Sequence, residues 1–329
     1  MKIVMKTPSG RMALILLIVF FCCFSEASAQ NSPHANSGYT PQRVYDANEK
    51  RYTDFESMLA ELARLDVVFV GEQHDDPNTH RLERAILEGL SRRRPQLVVA
   101  MEMFERDVQK SLDDYLAGQL SEEAFLAASR PWPRYQTDYR PLVEFARAHR
   151  YRVIAANAPT QLARQVARGG LEALAQMSPE DRAMLAKEIQ CPLDDYYKRF
   201  AQTMTAHPGA AAHGSAEQSS DAQQKAILER FYYAQCVKDE TMAESVARLY
   251  QGGAEPGPLT VHFNGAFHSD YRQGAAARVI QRRPKTSVKV LTIIPVDDLD
   301  ALKPDDYRQR GDYLVFTLKP FNSSTTTGK

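Results

Sequence analysis

The sequence predicts an α/β fold: a mainly parallel sheet flanked by helices, with a large helical insertion between its third and fourth strands. Three observations lead there. Short unbroken apolar runs at 67–70 (VVFV), 97–101 (LVVAM) and 153–156 (VIAA) read as strands buried on both faces, as parallel sheets require. Segments of helical period separate them, giving a β-α-β-α-β order whose crossovers are right-handed. A helical stretch over about 160–255 then intervenes before strands return at 259–263, 288–294 and 314–317.

Each element has a local cause. Lys2, Lys6 and Arg11 precede an apolar run over 12–24, and Ala27-Ser28-Ala29 offers a small-x-small cleavage site. The run is shorter than the roughly 20 apolar residues that span a bilayer, so 1–29 reads as a signal peptide for the periplasm or cell envelope. Cys22 and Cys23 raise a lipid anchor as the alternative, a possible lipoprotein attachment. Against it, Phe21 stands where a small residue should precede a lipid-modified cysteine. Residues 30–48 are polar and read as a flexible leader, 49–320 as one domain, and 321–329 as a disordered tail.

Helical period begins over 55–65. Asp76 followed by Pro77 is a cap with proline at the first helical position, opening a helix to Arg93 with Leu82, Ala85, Ile86 and Leu90 on one face. Residues 104–149 read as helices broken at Pro131-Trp132-Pro133. Inside the insertion, helices are expected at 160–175, 179–189, 193–206 and 224–250. Between the last two, 207–223 reads as a flexible loop in which His207 and His213 are solvated.

The 329 residues suffice for one large domain. Lys+Arg and Asp+Glu are equal at 41 each, so no basic field exists and no nucleic-acid partner is expected. Four cysteines exclude a disulfide-dense scaffold. Export would leave Cys191 and Cys236, either paired in an oxidising compartment or buried as free thiols.

Chemistry is expected at the strand ends, where open parallel sheets bind ligands. Gly71-Glu72-Gln73-His74 follows the first strand, Glu102 the second, and Asn264-Gly265-Ala266-Phe267-His268 the fourth. His74, Glu102 and His268 could converge as a two-His, one-carboxylate set suited to a divalent transition metal. Glu72 would support that set, and in a hydrolase would be catalytic with them. Asn157 closes the third strand and offers an amide to the same rim, and Asp270 either orients His268 or caps the next helix. Tyr196, Tyr197, Tyr232 and Tyr233, with several methionines, give the insertion an aromatic layer able to hold a flat apolar ligand. Nucleotide-binding and serine-hydrolase motifs are absent from the sequence.

The segments VFVGEQHDDP (68–77), VAMEMFER (99–106), VIAANAP (153–159), AQCVKDETMA (234–243) and HFNGAFHSDY (262–271) resemble the ChaN-like haem-binding lipoproteins, over roughly 50–295. That family sits in the wider Tiki/TraB and erythromycin-esterase-like grouping. The resemblance implies an exported, iron-regulated protein of bacterial haem uptake. It also implies a homodimer holding haem between protomers through tyrosine, for which Tyr196, Tyr197, Tyr232 and Tyr233 are the candidates by composition. The wider grouping implies the alternative, a metal-dependent envelope hydrolase using His74, Glu102 and His268, with Glu72 and Asn264 in support. A non-catalytic envelope scaffold is the third reading.

Overall fold

The computed structural model describes residues 40–206, 220–251 and 257–320. The expected signal peptide, the disordered tail and most of the flexible loop lie outside the described residues. The strands are β1 (Gln42–Asp46), β2 (Arg51–Thr53), β3 (Val67–Glu72), β4 (Leu97–Glu105), β5 (Arg152–Asn157), β6 (Leu259–Gly265), β7 (Val288–Val296) and β8 (Tyr313–Leu318). They form one sheet in the order β2-β1-β8-β7-β3-β6-β4-β5. From β8 to β5 every neighbouring pair is parallel, and β1 and β2 add an antiparallel edge.

The parallel strands form because their runs are apolar on both faces. Val68, Val70, Val99 and Met101 meet the helices Phe55–Leu62, Pro77–Arg93 and Arg140–Ala148 on one side. Val67, Phe69 and Ala100 meet Met242, Ala243 and Val246 of the helix Asp221–Ala247, and Ala275, Ala276 and Val279 of the helix Gly274–Arg282, on the other. The insertion is thus no separate lobe, because the second half of its longest helix is a layer of the core. A capping box at Ser220 and Gln223 starts that helix.

Several expectations are corrected. The stretch read as a flexible leader contains β1, paired in register with β8 from Gln42↔Thr317 to Asp46↔Tyr313. β1 lies between β2 and β8, one strand in from the edge, and its only apolar residues, Val44 and Tyr45, are too short a run to read as a strand. The loop read over 207–223 ends earlier, since Asp221 to Gln223 are helical. The helix expected over 179–189 stops at Ala183. Beyond it, the backbone amides of Ala186, Lys187 and Gln190 donate to Thr241, Glu244 and Glu240 of the long helix instead of to their own chain. Cys191 and Cys236 are disulfide-bonded, tying this irregular segment to the same helix.

Candidate functional site

The site lies at the carboxyl ends of β3, β6 and β4. β6 runs between the other two, so Glu72 and Glu102 are not on adjacent strands but reach towards each other over the end of β6. Register places Gly71 beside Asn264 and Glu72 beside Gly265. Gly265 is what lets the groups converge. A methyl group there would lie 2.5 Å from His74 Nε2 and 3.6 Å from Glu102 Oε2. Its amide donates to Glu102 Oε2 at 2.7 Å.

This gives a prediction. His74 has a side chain 48% exposed, so in Gly265→Ala the ring swings outward and the backbone stays. The melting transition should shift by only about 0.5 kcal/mol, while the His74–Glu72 hydrogen bond is lost. Imidazole NMR shifts report that loss, and an unmoved His74 resonance would count against this packing.

A buried charged chain runs inward from the strand ends. Glu102 Oε1 accepts from His268 Nε2 at 3.2 Å, and His268 Nδ1 donates to Asp239 Oδ1 at 2.7 Å. Asp239 Oδ2 accepts from the Tyr196 hydroxyl at 2.6 Å. Burial alone would lower the His268 pKa, but the two carboxylates outweigh it and push it up to about 10. Burial alone would raise Glu102, but the His268 charge, with His74 beyond, holds it far below the usual carboxylate range. Burial likewise opposes charge on His74, yet its hydrogen bond to Glu72 and the field of Glu102 raise it.

His74, Glu72, Glu102 and His268 therefore meet, as a hydrogen-bonded ion chain. Both His268 ring nitrogens are committed to carboxylates, and the other oxygens of those carboxylates are taken by the Gly265 amide and the Tyr196 hydroxyl, so no ligand atom is left over for a metal in this arrangement. Among the described residues, the group of three whose ligand atoms all lie within 4.8 Å of one another is Glu72, His80 and Glu83. Asp239 occupies the orienting role expected of Asp270. Asp270 instead accepts from Thr292 Oγ1 at 2.9 Å and from Arg310 Nε at 2.6 Å, and the helix after it is preceded by Gln273. Asn157 donates to the Glu102 carbonyl at 3.0 Å and Asn264 donates to Ser269 Oγ at 3.0 Å, so both brace the turns rather than face a ligand.

The aromatic layer is real but mostly spent. Tyr196 and Tyr232 are buried, and the Tyr232 hydroxyl donates to the Pro192 carbonyl at 2.7 Å. Burial, with Asp239, raises Tyr196 well above its ordinary value, and burial pushes Tyr232 up to about 12. Tyr197 and Tyr233 pack against the Tyr232 ring, with centroids 5.1 and 6.1 Å away, and neither lines the strand-end cleft. Neither buried hydroxyl is free to reach an iron.

That cleft has a volume of about 680 Å³ and is floored by His74, Gly265 and His268. Phe200, Met204 and Phe267 line an apolar wall, and Arg199 supplies positive charge, while Arg310 on the same wall is paired with Asp270. The Arg199 guanidinium lies 4.0 Å from the Phe267 ring centre and 5.0 Å from that of Tyr271. Tyr271 is 43% exposed on the cleft wall, with a φ of 63°. That left-handed backbone is costly for a bulky residue, and Arg272 beside it is left-handed too, at 57°. The turn is held by anchors on either side: Asp270 by Thr292 and Arg310, and Arg272 by two bonds to Asp312 at 3.1 and 2.8 Å. Sequence reasoning passed over Tyr271, Asp239 and Arg199, although the first two lie within the segments that carry the resemblance.

Fold and site together define an α/β protein with a ligand cleft at the carboxyl ends of parallel strands, roofed by a helical insertion. The chain belongs to the family described as "Haem-binding uptake, Tiki superfamily, ChaN", whose model matches residues 58–279. Its fold is similar to that of the ChaN of Campylobacter jejuni, a structure with cofacial haem binding. The TM-score is 0.59 at 15% identity, over 84% of this chain and 96% of that one. It is also similar to the chloroplastic protein RETICULATA-RELATED 5 of Arabidopsis thaliana, at 24% identity over 278 residues. That match takes in 77% of this chain, which spans 35% of the plant protein's length.

Proposed function

We propose that this protein binds ferric haem in the strand-end cleft, with Tyr271 as the iron ligand, and serves haem uptake outside the cytoplasm without a catalytic step. The observation that carries the reading is Tyr271 itself, an exposed phenol on the cleft wall, fixed in a strained backbone by anchored neighbours. Strain held at a binding wall by its surroundings is a mark of functional sites. Tyrosine is a known axial ligand of haem iron. The cleft falls within the range of about 300–1,000 Å³ usual for ligand sites. The wall of Phe200, Met204 and Phe267 suits a porphyrin face, and Arg199 suits one of its carboxylates. Because the cleft is open, a second copy of the chain could cover the other face of the ligand, which favours a haem-linked homodimer.

Export is supported by the sequence over 1–29 and by the Cys191–Cys236 disulfide, since disulfides persist in oxidising compartments. The hydrolase reading has less to draw on, because His268 is committed through both nitrogens.

Titration of the purified protein with ferric haem tests the reading. Saturable binding with a tyrosinate-type spectrum is expected, and Tyr271→Phe should abolish the tyrosinate band. A response no different from that of an inert protein would overturn haem binding. A spectrum unchanged in Tyr271→Phe would overturn the ligand.

A further inference from the structure

Behind the cleft floor, on the far side of Glu72, lies a second cluster. The helix Pro77–Arg93 turns His80 and Glu83 inward to the end of β3, and Glu72, His80 and Glu83 are 1%, 4% and 0% exposed. His80 Nε2 lies 3.2 Å from the His74 carbonyl oxygen and 3.3 Å from Asp138 Oδ2. Both are acceptors, and Arg134 Nε donates to the same Asp138 oxygen at 2.7 Å. The Nε2 side of the ring is thus spent on these two acceptors, and Nδ1 is the atom that faces the cluster. Nδ1 makes a 2.9 Å hydrogen bond with Glu83 Oε2 and lies 3.6 Å from Glu72 Oε2.

The other Glu72 oxygen is taken by the Tyr139 hydroxyl at 2.9 Å and by His74. Glu72 Oε2 and Glu83 Oε1 have no hydrogen-bond partner. Two carboxylates and one imidazole nitrogen thus converge in a buried space in which two carboxylate oxygens are left without a partner, a costly arrangement unless a cation or a proton sits there.

We propose that Glu72, His80 and Glu83 form a buried site for a divalent first-row cation, separate from the haem cleft. One imidazole nitrogen with carboxylate oxygens suits manganese, iron(II) or zinc. Metal-bound histidines commonly donate their other ring N–H to a carboxylate or carbonyl, as His80 does here. Two carboxylates balance the charge of one divalent ion. The competing occupant is the proton. Burial and the facing Glu72 raise the Glu83 carboxyl well above its ordinary value, so without a metal a shared hydrogen would join the pair.

The test uses haem-free protein, so its outcome is independent of the haem reading. The purified protein is exposed to zinc or manganese, desalted and analysed for metal. About one equivalent per chain is expected, with Glu83→Gln, similar in shape, retaining about tenfold less or worse. X-ray absorption of zinc-loaded wild type needs no variant. It should show one imidazole nitrogen among oxygens at about 2.0–2.2 Å. Wild type that retains neither metal means protons alone fill the site, and overturns the proposal. So does Glu83→Gln that retains as much as wild type, or a zinc shell with two or more imidazoles, which would place the ion at His74 and His268.

Discussion

Replacing Asp239 with alanine costs about 3–5 kcal/mol, the penalty for leaving a buried charge without its partner, and lowers the melting midpoint by roughly 10 °C. The reason lies in what Asp239 holds. It accepts from His268 Nδ1 at 2.7 Å and from the Tyr196 hydroxyl at 2.6 Å, in a position 0% exposed. Without it, His268 keeps Glu102 alone and a buried phenol loses its acceptor. Asp239→Asn preserves an acceptor oxygen and the packing, so it should cost less. Asp195→Asn, on an exposed pair with Lys198, should leave the midpoint essentially unchanged. A midpoint for Asp239→Ala within 2–3 °C of wild type would show that the chain contributes little.

The pH dependence sharpens the same prediction. Folding raises His268 from 6.5 to about 10. Its contribution to stability is therefore complete below about 6.5 and is lost as pH rises through about 10. Glu102 acts in the other direction. Folding lowers its carboxyl from 4.5, so its contribution is present above that value and is lost as pH falls towards the depressed one. In Asp239→Ala the alkaline loss should begin at lower pH, because one of the two carboxylates raising His268 is gone. Chemical denaturation at several pH values reads this directly.

The strand-end groups were legible because parallel strands buried on both faces end abruptly, and polar residues there stand out from apolar runs. Glu72, Glu102 and His268 were found that way. Their arrangement was not legible, because strand order is a tertiary outcome. Nothing local in 259–265 says that β6 inserts between β3 and β4. Asp239 was hidden for a different reason. Its helix is buried almost all round from Cys236 to Ala247, so polar residues there show no solvent-facing period. β1 and β2 were missed because they are short and mostly polar, QRVYD and RYT, with β2 alone at the sheet edge. The insertion tyrosines drew attention by number, yet burial had already bound two of their hydroxyls.

Tyr271→Gly should separate strain from ligand binding. At φ 63° a tyrosine costs about 1–3 kcal/mol, whereas glycine adopts that conformation freely. Glycine's greater freedom in the unfolded chain returns about 0.5–1 kcal/mol of that gain. Loss of the exposed contact with Arg199 returns a similar amount. The haem-free variant should therefore lie between about 1 kcal/mol less stable and about 2 kcal/mol more stable than wild type. Its haem affinity should fall about 100-fold, the scale of losing a dominant binding contact. Tyr271→Phe keeps the strain and loses the ligand, so it should match Tyr271→Gly in haem binding and wild type in stability. A glycine variant less stable than wild type by more than 1 kcal/mol would mean that Tyr271 is there for packing. A glycine variant that binds haem as wild type does would place the iron elsewhere. The expected pair of results, stability kept and binding lost, is the signature of a residue whose backbone is strained for the sake of its ligand.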